Sequence, residues 1–208
     1  MRKSIAALVV IAVLAGYLLK SYTYVLFAIP ATLAGSIFFK NALAAIVTVY
    51  LGTFLSYLEL LIYRRISEKT YSMLDRLTEP LYSGLSRFAT FRIASPLRAC
   101  LFYLHFVPLL SLFANLTAIS AFFWNFAPEG IPQFISYLMP HALLEIPAML
   151  ASVALGLAIA NKLRGVAMRG DIETFEREIR AIVRKPGYAL GMLSILVLLY
   201  FAALLESG

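Results

Sequence analysis

A chain of 208 residues that is 62% hydrophobic and 14% charged, with a mean hydropathy of +0.85, lies far outside the soluble globular range and reads as an integral membrane protein. Its 18 Lys and Arg exceed its 11 Asp and Glu, but in a membrane chain such an excess records which loops stay in the cytoplasm, so no nucleic-acid partner is expected. The single cysteine, Cys100, excludes an intrachain disulfide and a thiolate metal site; no metal or other cofactor is expected.

At the N-terminus, Arg2-Lys3 and the run Ser4 to Leu19 have the basic start and apolar core of a signal peptide. The following Lys20-Ser21-Tyr22-Thr23-Tyr24 lacks the small-x-small pattern that cleavage needs, so residues 4–20 are predicted to be a first, short membrane helix. Tyr22 to Phe39 is apolar again but carries Pro30 and Gly35, which by length alone fits a further crossing, a re-entrant segment or an interfacial helix. Four longer runs follow, at 41–63, 97–123, 137–160 and 188–205, each near the ~20 residues a helix needs to cross.

The loops differ in charge. Residues 64–96 and 162–187 are rich in Arg and Lys, whereas Asn125 to Gln133 has neither. By the positive-inside rule the first two are cytoplasmic and the third is outside. Arg2-Lys3 also belongs inside, so one crossing precedes Asn41. The expectation is an all-α polytopic bundle in the cell membrane, a single membrane domain over 1–208 with about five spans, N-terminus in and C-terminus out. Tyr22 to Phe39 then dips into or lies on the outer leaflet.

Both cytoplasmic loops have helical patterning. Ile172, Phe175, Ile179 and Ile182 make one apolar stripe, Asp171 is a candidate N-cap, and Glu173/Arg177 and Glu176/Arg180 are spaced for i,i+4 support. A similar stripe runs through Leu74, Leu77, Leu81, Leu85 and Phe88, interrupted at Pro80. Such helices lie on headgroups or on the bundle, or dock a protein partner, for which 171–182 is the candidate. Neither loop has a phosphate-binding Gly-Lys-Ser/Thr pattern.

Polar groups within the spans carry the functional reading. His141 and Glu145 are one helical turn apart, and Ala148, Ser152, Gly156 and Ala160 continue their stripe with small residues of the kind along which helices press together in lipid. The pair is therefore predicted to face protein. At ~1.5 Å per residue, Asn41, Asn115 and Glu206 reach a similar depth, so the five are predicted to converge in an outer-facing pocket. Nearer the cytoplasm, Glu59 and His105 are placed to meet as an ion pair joining two helices. Trp124 with Phe122, Phe123 and Phe126 reads as an interfacial aromatic belt.

The run Pro140-His141-Ala142-Leu143-Leu144-Glu145-Ile146-Pro147-Ala148, with Gly156 further on, resembles the signature of the stage II sporulation protein M family, Pro-His-Gly-x-x-Glu-Leu/Ile-Pro-Ala. Phe39-Lys40-Asn41 with Gly52, and Ala203-Leu204-Leu205-Glu206, echo it elsewhere. Ala142 stands where the family usually has glycine. The resemblance implies about five spans and no established catalytic activity. In spore-forming bacteria the namesake is a membrane scaffold that assembles peptidoglycan-degrading enzymes during engulfment, a role that does not extend to family members in organisms without spores.

Three functions compete. The first is a scaffold or an assembly and export component, with the bilayer and a protein as partners and homo-oligomerisation open to it. The second is an intramembrane hydrolase in which Glu145 activates water and His141 orients or stabilises charge. The third is a transporter subunit that relays protons through the same pair and docks a cytoplasmic ATPase. Two histidines near opposite faces disfavour the enzyme.

Overall fold

Where water is absent, a long apolar run satisfies its backbone N–H and C=O groups only by coiling into a helix or closing a barrel. The computed structural model describes residues 2–27, 34–86, 96–126, 130–139 and 142–207, and these form eight helices and no strand. In order they are α1 Arg2–Phe27, α2 Ala34–Arg65, α3 Glu68–Ser86, α4 Leu97–Phe126, α5 Ile131–Leu138, α6 Ala142–Ala167, α7 Ile172–Ile182 and α8 Pro186–Ser207. Four carry stretches long and apolar enough to cross a membrane, namely Phe38–Arg65, Leu97–Asn125, Ala142–Ala167 and Pro186–Leu205. In α1, the expected first span, the apolar stretch among the described residues is the shorter Ala7–Leu19.

Several element boundaries depart from expectation, each for a local reason. The segment 22–39 is not an element of its own: residues 22–27 close α1 and 34–39 open α2, while 28–33, including Pro30, lie outside the described residues. The span expected over 137–160 starts only at Ala142, because Met139 is extended (φ −87°, ψ 149°). A residue preceding proline is pushed out of the helical region, and Pro140 follows Met139. At its other end α6 runs seven residues beyond 160, through Lys162 and Arg164, whose long stems let the charged heads reach polar surroundings. It stops before Gly170, which holds φ +73°, a backbone that costs glycine no Cβ clash.

Asp171 then caps α7, its Oδ1 accepting from the Thr174 N–H at 2.9 Å. Phe175, Ile179 and Ile182 of α7 are buried in the chain's own packing. In α3 the described part of the stripe faces out, with Leu74 and Leu77 43% and 66% exposed. The side chains of Leu81 and Leu85 and all of Phe88 lie outside the described residues.

Contacts gather the chain into two compact units, and the division passes through α2, α4, α6 and α8 rather than through a linker. The first comprises residues 1–45, 109–151 and 193–208. Here Gly16 of α1 meets α4 so closely that a Cβ would lie 2.5 Å from Ser120 Cβ and 2.8 Å from the Ala121 nitrogen. The Ser120 hydroxyl donates to the Val13 carbonyl at 3.1 Å, and Tyr17 meets Trp124 edge-on at 5.3 Å. Phe134 of α5 packs on Phe122 and Phe123, with centroids 5.7 and 5.2 Å away.

The second unit comprises residues 46–108 and 152–192. Gly52 of α2 is crossed by α4, and a Cβ would stand 2.7 Å from the Tyr103 carbonyl oxygen. One turn on, the Ser56 hydroxyl donates to the carbonyls of Gly52 (2.7 Å) and Cys100 (2.9 Å), and the Cys100 thiol lies 3.4 Å from the Ser56 carbonyl. Gly156 of α6 is seated likewise, with the Thr48 carbonyl oxygen 3.0 Å and Pro108 Cγ 2.8 Å from where its Cβ would be. Small residues thus bring backbones close enough for dispersion and carbonyl hydrogen bonds to hold helices that apolar burial cannot drive together in lipid.

Candidate functional site

Glu145 lies in the first turn of α6, where the unpaired N–H groups of the helix end favour a negative charge. It is half-buried, and the Asn41 amide of α2 donates to its Oε1 at 2.7 Å. Residues 104 apart in sequence are joined here, both within the first unit.

Of the other expected pocket residues, Asn115 is the one whose side chain is described. Asn115 does not join Asn41 or Glu145: its amide donates back into α4, to the Ser111 carbonyl at 2.9 Å. A polar side chain one turn beyond a carbonyl on its own helix satisfies itself without any partner helix. Glu206 is in α8, with its side chain outside the described residues, and His141 falls outside them altogether. Along α6, Ala148, Ser152, Gly156 and Ala160 are all buried.

In the second unit the expected Glu59–His105 ion pair does not form. Glu59 instead accepts from two tyrosine hydroxyls, Tyr71 of α3 at 2.7 Å and Tyr103 of α4 at 3.3 Å. His105 Nδ1 pairs with the Leu101 carbonyl of its own helix at 2.8 Å. Two tyrosines satisfy the carboxylate's two oxygens without burying a second charge, which a histidinium partner would require. Tyr71 further packs edge-on against Tyr63 at 4.9 Å, and Arg98 pairs with Asp75 at 3.1 Å, so α3 is held to both α2 and α4.

A third acidic side chain is more deeply enclosed. Glu176 of α7 is 5% exposed and divides its carboxylate between Arg64 of α2, at 2.7 Å, and Arg180 one turn along its own helix. The Arg180 guanidinium also lies over the Tyr57 ring, 5.2 Å from its centroid. Of the two i,i+4 pairs expected on α7, Glu176/Arg180 is present. Glu173/Arg177 is not, because Arg177 donates to the Thr174 hydroxyl at 3.2 Å.

At the two ends of α7 the ionisation of polar groups is tuned locally. Hydrogen bonds from Thr174, through its hydroxyl and its backbone N–H, hold the Asp171 carboxyl below the usual carboxylate range. The Lys185 ammonium, 2.6 Å from Glu178, lowers the pKa of that carboxyl and has its own raised in return. Arg64, Glu173, Glu176, Arg177, Arg180 and Arg184 line a recess of about 620 Å³ on this side of α7.

These partners were hidden from sequence reasoning for one reason. Tyr71, Tyr103 and Arg64 become neighbours of Glu59 and Glu176 only through helix crossings. The one local signal was the position of Glu176, four residues after Ile172 and three before Ile179, which places it at the edge of the buried stripe.

The family model described as Stage II sporulation protein M matches residues 97–208. Nothing among curated proteins or solved structures matches the chain.

Proposed function

The chain belongs to the stage II sporulation protein M family, and from that premise we propose that it is a multi-pass scaffold of the cell membrane, an assembly or export component rather than an enzyme. The observation that carries the reading is the Asn41–Glu145 hydrogen bond. The most distinctive acid of the family-like motif is spent on joining two helices, as a structural clasp would be. The same use recurs at Glu59 and at Glu176, each of which ties its helix to a neighbour. In this reading His141 and Glu206 would be the further polar residues that shape the region or meet a partner helix.

Charge supports the orientation with the N-terminus inside, five crossings and the C-terminus outside. Fourteen of the eighteen Lys and Arg belong to the unit formed by 46–108 and 152–192, the other four being Arg2, Lys3, Lys20 and Lys40. The apolar face of α7 is already buried by the chain itself, so a cytoplasmic protein partner would read its exposed charged face, residues 171–182.

The test is isolation of the tagged chain from its native membrane. A scaffold co-purifies with a membrane or membrane-associated protein in fixed proportion, and Glu145→Ala lowers both the melting temperature and that recovery. A Glu145→Gln variant of unchanged stability that abolishes hydrolysis of a peptide or lipid substrate would replace the scaffold with an intramembrane hydrolase. Loss of proton-coupled flux in liposomes with stability retained would replace it with a transporter subunit.

A further inference from the structure

We propose that the arginine-lined recess beside α7 and the apolar groove that continues from it along α2 bind one anionic phospholipid, the phosphate among the arginines and an acyl chain in the groove. The proposal is independent of the scaffold reading and needs only that the apolar helices lie in a bilayer.

The groove, about 390 Å³, is walled by Tyr50, Phe54 and Tyr57 of α2, by Ile179 of α7 and by Val183, which follows α7 directly. The three α2 residues are spaced four and three apart and share one helix face, and Arg64 follows seven residues later on that face. At 1.5 Å per residue, Tyr50 to Arg64 spans about 21 Å. One leaflet of a hydrocarbon core ~30 Å thick is about 15 Å, so an acyl chain along Tyr50 to Tyr57 leaves its headgroup level with Arg64. Phe54 and Val183 are 56% and 66% exposed, so the groove opens outward and is not closed by the chain's own core.

The recess supplies the complementary charge. Four arginines face two glutamates there, an excess of two positive charges. Glu176 fixes Arg64 and Arg180 in position through its two oxygens, while Arg177 contacts a neutral hydroxyl and the Arg184 side chain has no ion-pair partner among the described residues. Guanidinium forks match phosphate oxygens two at a time. Arg180 lines both cavities and lies over the Tyr57 ring, so it marks the border between headgroup and chain. A free phosphate or an acidic peptide would use only the recess, and a zwitterionic lipid would bring its own cation against the arginines.

The experiment is native mass spectrometry of the full-length protein in detergent, titrated with dioleoylphosphatidylglycerol, dioleoylphosphatidylcholine or inorganic phosphate. One phosphatidylglycerol per chain is expected to bind at least tenfold tighter than phosphatidylcholine, with phosphate weaker than either lipid. A basic residue near an anionic headgroup contributes about a five-fold affinity factor, so the double variant Arg177→Gln, Arg184→Gln, at exposed positions, is expected to weaken phosphatidylglycerol about 25-fold and leave phosphatidylcholine unchanged. Val183→Asn, at the groove wall, is expected to weaken phosphatidylglycerol without altering phosphate. Equal retention of the two lipids, no effect of the double variant, or phosphate binding as tight as phosphatidylglycerol would each overturn the proposal.

Discussion

The Asn41 amide donates to the Glu145 carboxylate at 2.7 Å, so a polar bond within the apolar part of the chain joins α2 to α6 across 104 residues of sequence. Interhelical bonds of this kind contribute ~0.6 kcal/mol on average and up to about 1.7. Glu145→Ala is therefore expected to lower stability in detergent by about 1 kcal/mol, measured as a shift of the thermal unfolding midpoint. Glu145→Gln keeps an acceptor at Oε1 and is expected to lose less than half of that. Equal losses would show that the charge, not the hydrogen bond, holds the helices.

Gly52 is a position where added volume meets backbone rather than a side chain that can turn away. A methyl group there would stand 2.7 Å from the backbone oxygen of Tyr103, an atom that moves only if α4 moves with it. Gly52→Ala is expected to cost about 1–3 kcal/mol, the usual range for overpacking. Gly187, where a Cβ meets nothing within 4 Å, is the control, and Gly187→Ala should leave the unfolding midpoint unchanged within error.

Glu176 anchors α7 by its two arginines. Removing a buried ion-pair partner costs up to 3–5 kcal/mol when the remaining charge is trapped, but Arg64 and Arg180 are 49% and 59% exposed and can turn to water. Glu176→Ala is accordingly expected to cost only about 1–2 kcal/mol. Faster amide hydrogen exchange should be confined to residues 172–182. An effect spread over α4 and α8 would mean that α7 is integral to the bundle.

The link from α7 to α8 is expected to depend on pH at both extremes. The pKa of Glu178 is lowered by Lys185, so its contribution is present above the ordinary glutamate value, ~4.3, and is lost as pH falls below it. Lys185 has its pKa raised by Glu178, so its contribution is complete below the ordinary lysine value, ~10.4, and is lost as pH rises beyond the raised one. Exposed pairs of this kind contribute at most ~1 kcal/mol. Protection of the amides of residues 183–185 against hydrogen exchange, taken relative to their intrinsic rate at each pH, should be greatest between these limits, and Lys185→Met should flatten the acid limb.

What could be read from the chain in advance follows the range of the forces involved. The long apolar helices, the Asp171 cap and the stripe of α7 depend on residues within two turns of one another, and all are present in the structure. The late start of α6 rests equally on a local cause, Met139 before Pro140, but one that hydropathy averages away. The partners of Glu59 lie 12 and 44 residues off. No period or spacing reports a tyrosine hydroxyl brought in by a helix crossing, and an acid near a histidine naturally suggests the wrong pair. Asn115 shows the converse, a side chain that spacing matched to distant residues and whose amide donates to its own helix backbone.

Cys100, the one sulfhydryl of the chain, is fully enclosed between α2 and α4. A thiol that solvent cannot reach is silent toward alkylating reagents, so the native protein already behaves as a cysteine-free background. Ile131→Cys and Glu173→Cys, both at exposed sites, can then be probed with an impermeant maleimide on intact cells. Labelling of the first without the second would report sidedness directly, with no other substitution in the chain.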